Sequence, residues 1–126
     1  AEYLEGMDLT LCGSRSGSNA IAVWMILFTY GAHGWHEKVS ILQMCTAWLC
    51  KELDTLGIPY FREPFMNIVT IQAAYLPEAV ASRFSLVPQK HDASNKWYKV
   101  VVMDHVTIEQ LSELVVCLQK EYATFL

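Results

Sequence analysis

The stretch Trp97-Tyr98-Lys99-Val100-Val101-Val102-Met103 leads through Asp104-His105-Val106 into Thr107-Ile108-Glu109-Gln110, and these two segments decide the fold class. Aromatic and β-branched side chains dominate the first, which predicts a strand. The second is a capping box: the Thr hydroxyl and the Gln amide three residues on each satisfy a backbone N–H left free at a helix start. On that helix Ile108, Leu111, Val115, Leu118 and Tyr122 form one apolar stripe of the kind that covers a sheet face. A strand followed by its covering helix reads as an α+β layer.

Working outward, Asn67 to Gln72 is rich in β-branched residues and bounded by Pro64 and by Ala73-Ala74, so it predicts a second strand, with Tyr60-Phe61-Arg62 as its neighbour. Pro77 opens a short helix through Ala79, Val80, Ala81 and Phe84 that ends before Pro88, and the polar residues Gln89 to Lys96 loop out. Upstream, Trp35, Val39, Leu42, Leu49, Leu53 and Leu56 keep one stripe of a long amphipathic helix, stopped by Gly57-Ile58-Pro59. Before it, Ala20 to Phe28 is apolar on every side, capped by Ser18 or Asn19 and broken by Gly31 and Gly34. Such a helix is expected to be buried. The predicted order is α, α, β, β, α, β, α: a small α+β layer with two helices in front, and no internal repeat.

The size, 126 residues, fits one core. Apolar residues reach 53% and charged residues only 17%, greasier than an ordinary soluble domain. Nine Lys and Arg against 13 Asp and Glu leave a formal charge of −4 with the cations scattered, which argues against nucleic acid or anionic lipid as partner. The longest apolar run falls short of the ~20 residues of a membrane span. The chain opens at Ala1 with neither an initiator Met nor a signal-peptide pattern, and with this apolar excess it is expected to be a piece of something larger.

Candidate chemistry is sparse. Cys12, Cys45, Cys50 and Cys117 lack the paired spacing of a zinc site, so reduced thiols in a cytoplasmic protein are expected. His33 and His36 can share a helix face, but no third ligand lies near them in sequence. Arg62 and Glu63 are adjacent on a strand and face opposite ways. His91-Asp92 and Asp104-His105 look like dyads, yet no Ser or Cys stands in a nucleophile elbow, so hydrolase chemistry is not expected. The segment Gly13-Ser14-Arg15-Ser16-Gly17-Ser18, running into a helix, combines free N–H groups, hydroxyls and a guanidinium, the ingredients of an anion site. It lacks the spacing of a P-loop or of a dinucleotide fold, and a plain connection stays open as the alternative.

Read together, Glu2-Tyr3-Leu4, Asp8-Leu9-Thr10-Leu11-Cys12-Gly13-Ser14-Arg15-Ser16-Gly17, Glu63-Pro64 with Met66-Asn67-Ile68-Val69, Phe84-Ser85-Leu86-Val87, and Val100 to Met103 with His105-Val106-Thr107 resemble, in order and spacing, the C-terminal third of the group II pyridoxal-phosphate-dependent amino-acid decarboxylases. The wording is similar to the histidine decarboxylases and the archaeal tyrosine/aspartate decarboxylases. Asp104 stands where a proline is usual before His-Val-Thr. Ser18 stands where histidine decarboxylases often carry histidine, which turns the resemblance away from a histidine substrate.

The resemblance implies the aspartate-aminotransferase-type fold (fold type I). Residues 1–18 would close the large domain and carry the phosphate and interface loop, 19–57 would be connecting helices, and 58–126 the small α+β C-terminal domain. It implies pyridoxal 5'-phosphate as cofactor, with Gly13, Ser14 and Arg15 approaching the phosphate held by the neighbouring subunit of a homodimer. The family's Schiff-base lysine follows a histidine, and none of Lys38, Lys51, Lys90, Lys96, Lys99 or Lys120 does, so no catalytic residue is expected in this chain. The large domain of the same enzyme would be its partner and an L-amino acid its substrate, losing the α-carboxylate as CO₂ with the cofactor ring as electron sink. Another fold type I enzyme, an aminotransferase or lyase, and a non-catalytic interaction module are the alternatives.

Overall fold

The computed structural model describes residues 16–89 and 97–123. Two compact units divide the chain, Ala1–Trp35 and His36–Leu126. Helix α1, Gly17–Thr55, is two helices joined at Gly31, whose φ of 58° and ψ of −174° lie outside helical backbone and are open to a residue without Cβ. Gly34 does not interrupt it; a Cβ there would come within 3.2 Å of Tyr30 Cβ. The helix begins at Gly17, with Asn19 N–H donating to Ser16 O at 3.1 Å, so the start lies one turn-position earlier than a cap at Ser18 or Asn19.

In the first unit, the expected burial of Ala20 to Phe28 is not found: every residue from Ser16 to Gly31 is exposed, Phe28 at 77%. The rings of Trp24 and Phe28 stack on each other one turn apart, with centroids 5.3 Å apart. No described residue of this unit covers the helix.

The second unit is a sheet with helices on one face. Strands β1 (Tyr60–Phe61), β2 (Ile68–Gln72), β3 (Val87–Gln89) and β4 (Trp97–Val101) lie in the order β1-β2-β4-β3, all antiparallel. Val69 pairs with Val100 and Ile71 with Tyr98, and alternation puts Val69, Ile71 and Val100 into the core. Helices α2 (Glu78–Arg83) and α3 (Ile108–Ala123), with the last turns of α1, supply the rest: Leu49, Leu53, Val80, Leu111, Leu114 and Leu118. The hydroxyl of fully buried Thr46 donates to Leu42 O at 2.7 Å, so no unsatisfied group is left there.

Local sequence explains the boundaries. Gly57 sits at φ 67°, its N–H donates to Asp54 O and that of Ile58 to Leu53 O, which is a Schellman end with buried Ile58 against buried Leu53. Thr107 N–H donates to Gln110 Oε1 at 3.0 Å and Gln110 N–H to Thr107 Oγ1 at 3.3 Å, the reciprocal bonds of the capping box.

Three further expectations need correction. Strand β3 occupies Val87–Gln89, an element not expected there, and takes in Gln89, the first residue of the expected loop; Pro88 is tolerated because β3 is an edge strand, whose outward side asks for no N–H. On α3 the buried residues include Leu114, while Ile108 is 40% exposed, so the stripe starts one turn later than its periodicity indicates. On α1 only Thr46, Leu49, Cys50 and Leu53 are buried; Trp35 and Val39 are exposed, and the amphipathic stripe meets the core over its last turns alone.

Candidate functional site

Three groups of polar side chains stand out in the second unit. One is an open cleft of about 610 Å³ lined by Trp48 of α1, Arg83 at the end of α2, and Ile108, Glu113, Val116 and Cys117 of α3. Arg83 Nη1 lies 3.5 Å from Cys117 Sγ, and Nη2 lies 3.8 Å from Glu113 Oε2, both partners exposed, so this ion pair adds little stability. At the cleft's edge, Glu109 in the first turn of α3 has its carboxyl held below the usual range by its own backbone N–H and by the Thr107 hydroxyl.

The second group is at the end of α1. Tyr60 Oη donates to Asp54 Oδ2 at 3.3 Å. Burial first, then the neighbouring Cys50 thiol and Asp54 carboxylate, push the Tyr60 phenol up to about 12. A phenol kept protonated in this way is a hydrogen-bond donor, not a base.

The third group clamps a turn. Arg62 Nε donates to Met66 O at 2.9 Å, its Nη2 donates to Gln43 Oε1, and Gln43 Nε2 donates to Phe65 O. Arg62 is therefore engaged with the turn and with α1, not with Glu63.

Several residues singled out in the sequence are separated. Asp104, the departure from the family wording, pairs with Lys38 Nζ at 2.9 Å and not with His105. Gly13, Ser14, Arg15, Cys12 and His91-Asp92 lie outside the described residues. Cys45, Cys50 and Cys117 are free thiols. Among the described residues there is no group of three His, Cys, Asp or Glu placed to hold a metal ion, and no helix is long and apolar enough to cross a membrane. The clamp was missed in the sequence because its parts, Gln43 and the 62–66 segment, are far apart in the chain.

No family model matches the chain. It is 50% identical over 120 residues to a tryptophan decarboxylase of Clostridium sporogenes, across 95% of this chain and 29% of that protein. With an L-aspartate decarboxylase of Thermococcus kodakarensis it shares 33% over 117 residues, across 90% of this chain and 30% of that one. The chain thus spans under a third of the length of these curated relatives. Among solved structures, L-methionine decarboxylase from Streptomyces sp. 590 superposes with a TM-score of 0.67 at 23% identity, over 90% of this chain and 24% of that one. The same enzyme in its internal aldimine form superposes with a TM-score of 0.66. The α+β fold is therefore that of the small C-terminal domain of fold type I enzymes.

Proposed function

We propose that the chain is the C-terminal portion of a pyridoxal-phosphate-dependent group II amino-acid decarboxylase, a carboxy-lyase that releases CO₂ and an amine from an L-amino acid. The observation that carries this reading is 50% identity to a tryptophan decarboxylase along 95% of the chain. The fold shared with L-methionine decarboxylase agrees with this reading. Identity at that level makes L-tryptophan the first substrate to try, ahead of the L-aspartate suited to the archaeal relatives at 33%.

The described residues do not fit the cofactor. Lys38 is committed to Asp104, Lys51 and Lys120 are exposed on helices, and Lys99 stands in a strand. None of the four is buried, as a lysine amine held neutral for covalent work would be. No step of the reaction is therefore assigned to them, and the covalent chemistry belongs to the upstream part of the enzyme. The share left to this chain is structural: a rigid α+β layer, with Gly13, Ser14 and Arg15 proposed at the cofactor phosphate of the neighbouring subunit in a homodimer. A phosphate takes N–H donors, hydroxyls and a guanidinium together, which is the chemistry this segment offers. Residues 1–18 then belong to the large domain, 19–57 connect, and 58–126 form the small domain of a cytoplasmic enzyme.

The test is a substrate panel. The full polypeptide encoded with this sequence, supplied with pyridoxal phosphate, should convert L-tryptophan to its amine faster than any other L-amino acid. A preference for L-aspartate moves the substrate to the archaeal class. Transfer of the amino group to a keto acid, with no CO₂, would replace the decarboxylase reading by an aminotransferase.

A further inference from the structure

We infer that the turn Glu63–Met66, with Phe65 at its tip, is an anchor that seats in an apolar pocket on the upstream part of the same polypeptide. The inference rests on the decarboxylase reading for the identity of its occupant. Met66 N–H donates to Glu63 O at 3.1 Å, closing a four-residue turn with Pro64 second and Phe65 third. Phe65 has φ 65°. Proline second and positive φ third is the pattern of a type II turn, whose third position ordinarily takes glycine, because an L-residue with a Cβ is strained there. The chain puts phenylalanine there and then leaves it 90% exposed, the most exposed of its large apolar side chains among the described residues.

The strain is held in place. Gln43 on α1 donates to Phe65 O, and Arg62 donates both to Met66 O and to Gln43, so two side chains from different elements fix the backbone around the ring. A strained backbone persists only where its surroundings determine it, and here those surroundings point an apolar ring at nothing in the second unit. A large aromatic on a rigid backbone is the residue type that dominates binding interfaces, since it buries much area while losing little conformational freedom.

The strands on either side of the turn add apolar side chains that are not buried. Phe61 pairs with Thr70, and Thr70 with Lys99, so these three share the sheet face opposite the core; Ile68 and its partner Val101 lie on that face too. None of the five is buried, Phe61 is 55% exposed, and Met66 beside the turn is 45% exposed. The curated relatives carry over two thirds of their length outside the region that this chain matches. The corresponding body of the polypeptide proposed above is the occupant to which the surface is assigned.

The test uses the full polypeptide with Phe65→Cys and follows alkylation of the introduced thiol by peptide mass spectrometry, without substrate. Seated in a pocket, it should react on the order of a hundredfold more slowly in the native protein than after denaturation, since reaction then waits on opening. Reaction at the denatured rate overturns the anchor, and so does protection that disappears on dilution, which assigns the site to a second copy. Should that variant not fold, hydrogen exchange of the unsubstituted full polypeptide gives the same decision. The Phe65 amide should exchange there at least tenfold more slowly than in an unstructured peptide of the same sequence, and exchange at the peptide rate overturns the anchor. Neither readout needs catalysis, so an inactive protein with a protected Phe65 would sink only the decarboxylase reading. An active decarboxylase with an exposed Phe65 would sink only the anchor.

Discussion

Truncating Leu118 to alanine probes the packing of α3 on the sheet, on which the α+β assignment depends. Leu118 is fully buried, in one cluster with Val69 and Val100 of the sheet and Leu53 of α1. Leu118→Ala removes three carbons, which at ~0.8 kcal/mol each is roughly 2.4 kcal/mol of transfer free energy. The cavity left behind raises the total to about 3–4 kcal/mol, within the range seen for buried Leu→Ala changes. Against a net stability of ~5–15 kcal/mol for a small domain this is a large share, and it lowers the folded-to-unfolded ratio roughly a hundred- to a thousandfold. Val116, two residues earlier on the same helix, is 42% exposed, and Val116→Ala should stay within about 0.5 kcal/mol. Urea unfolding of both variants, followed by far-UV circular dichroism, measures the contrast. Equal losses, or a larger loss at Val116, would refute the face assigned to α3.

Thr107→Ala removes the acceptor for the Gln110 N–H and should cost about 1 kcal/mol, read as a shift of the urea midpoint at unchanged slope; no shift would mean that the capping box does not form in solution. Gly57→Ala places a Cβ at φ 67° in the Schellman end of α1 and should destabilise by roughly 1 kcal/mol, whereas a neutral outcome would move that helix end elsewhere. The Tyr60 phenol is raised from 10 to about 12 by burial, Cys50 and Asp54, so the folded state holds its proton more tightly than the unfolded chain. Its contribution to stability is complete below pH ~10 and fades as pH rises to about 12. Tyr60→Phe should flatten the loss of stability over that window, and an identical alkaline profile would disconnect Tyr60 from it.

Much of the fold was legible because its signals are local. The β-branched runs at Asn67–Gln72 and Trp97–Met103, the capping box at Thr107 and the stop at Gly57 each appear within two residues of where the structure places them. Strand β3 was not legible, because three residues around Pro88 carry no periodicity and pair only because β4 offers a free edge. The exposure of Ala20–Phe28 was hidden for a different reason: hydrophobic patterning says that a helix wants cover without saying whether the cover lies in the same chain. The clamp on Phe65 was invisible because Gln43 and Arg62 meet only in three dimensions. As for the candidate site, Gly13, Ser14 and Arg15 are assigned to a phosphate by the resemblance alone, which also implies a Schiff-base lysine preceded by histidine, a pair that this sequence does not contain. What the sequence conveys about function is thus mostly a resemblance carried by ordered segments, while the described side chains convey packing and surface.

The most direct test of the decarboxylase reading follows the carboxyl carbon. The full polypeptide, saturated with pyridoxal phosphate, is incubated with L-tryptophan labelled in the carboxyl group, and labelled CO₂ and amine are measured together. Equal amounts of CO₂ and amine, abolished when the cofactor is removed and restored when it is returned, are predicted. Loss of tryptophan without labelled CO₂, or no labelled CO₂ from any carboxyl-labelled L-amino acid tried in its place, would contradict it.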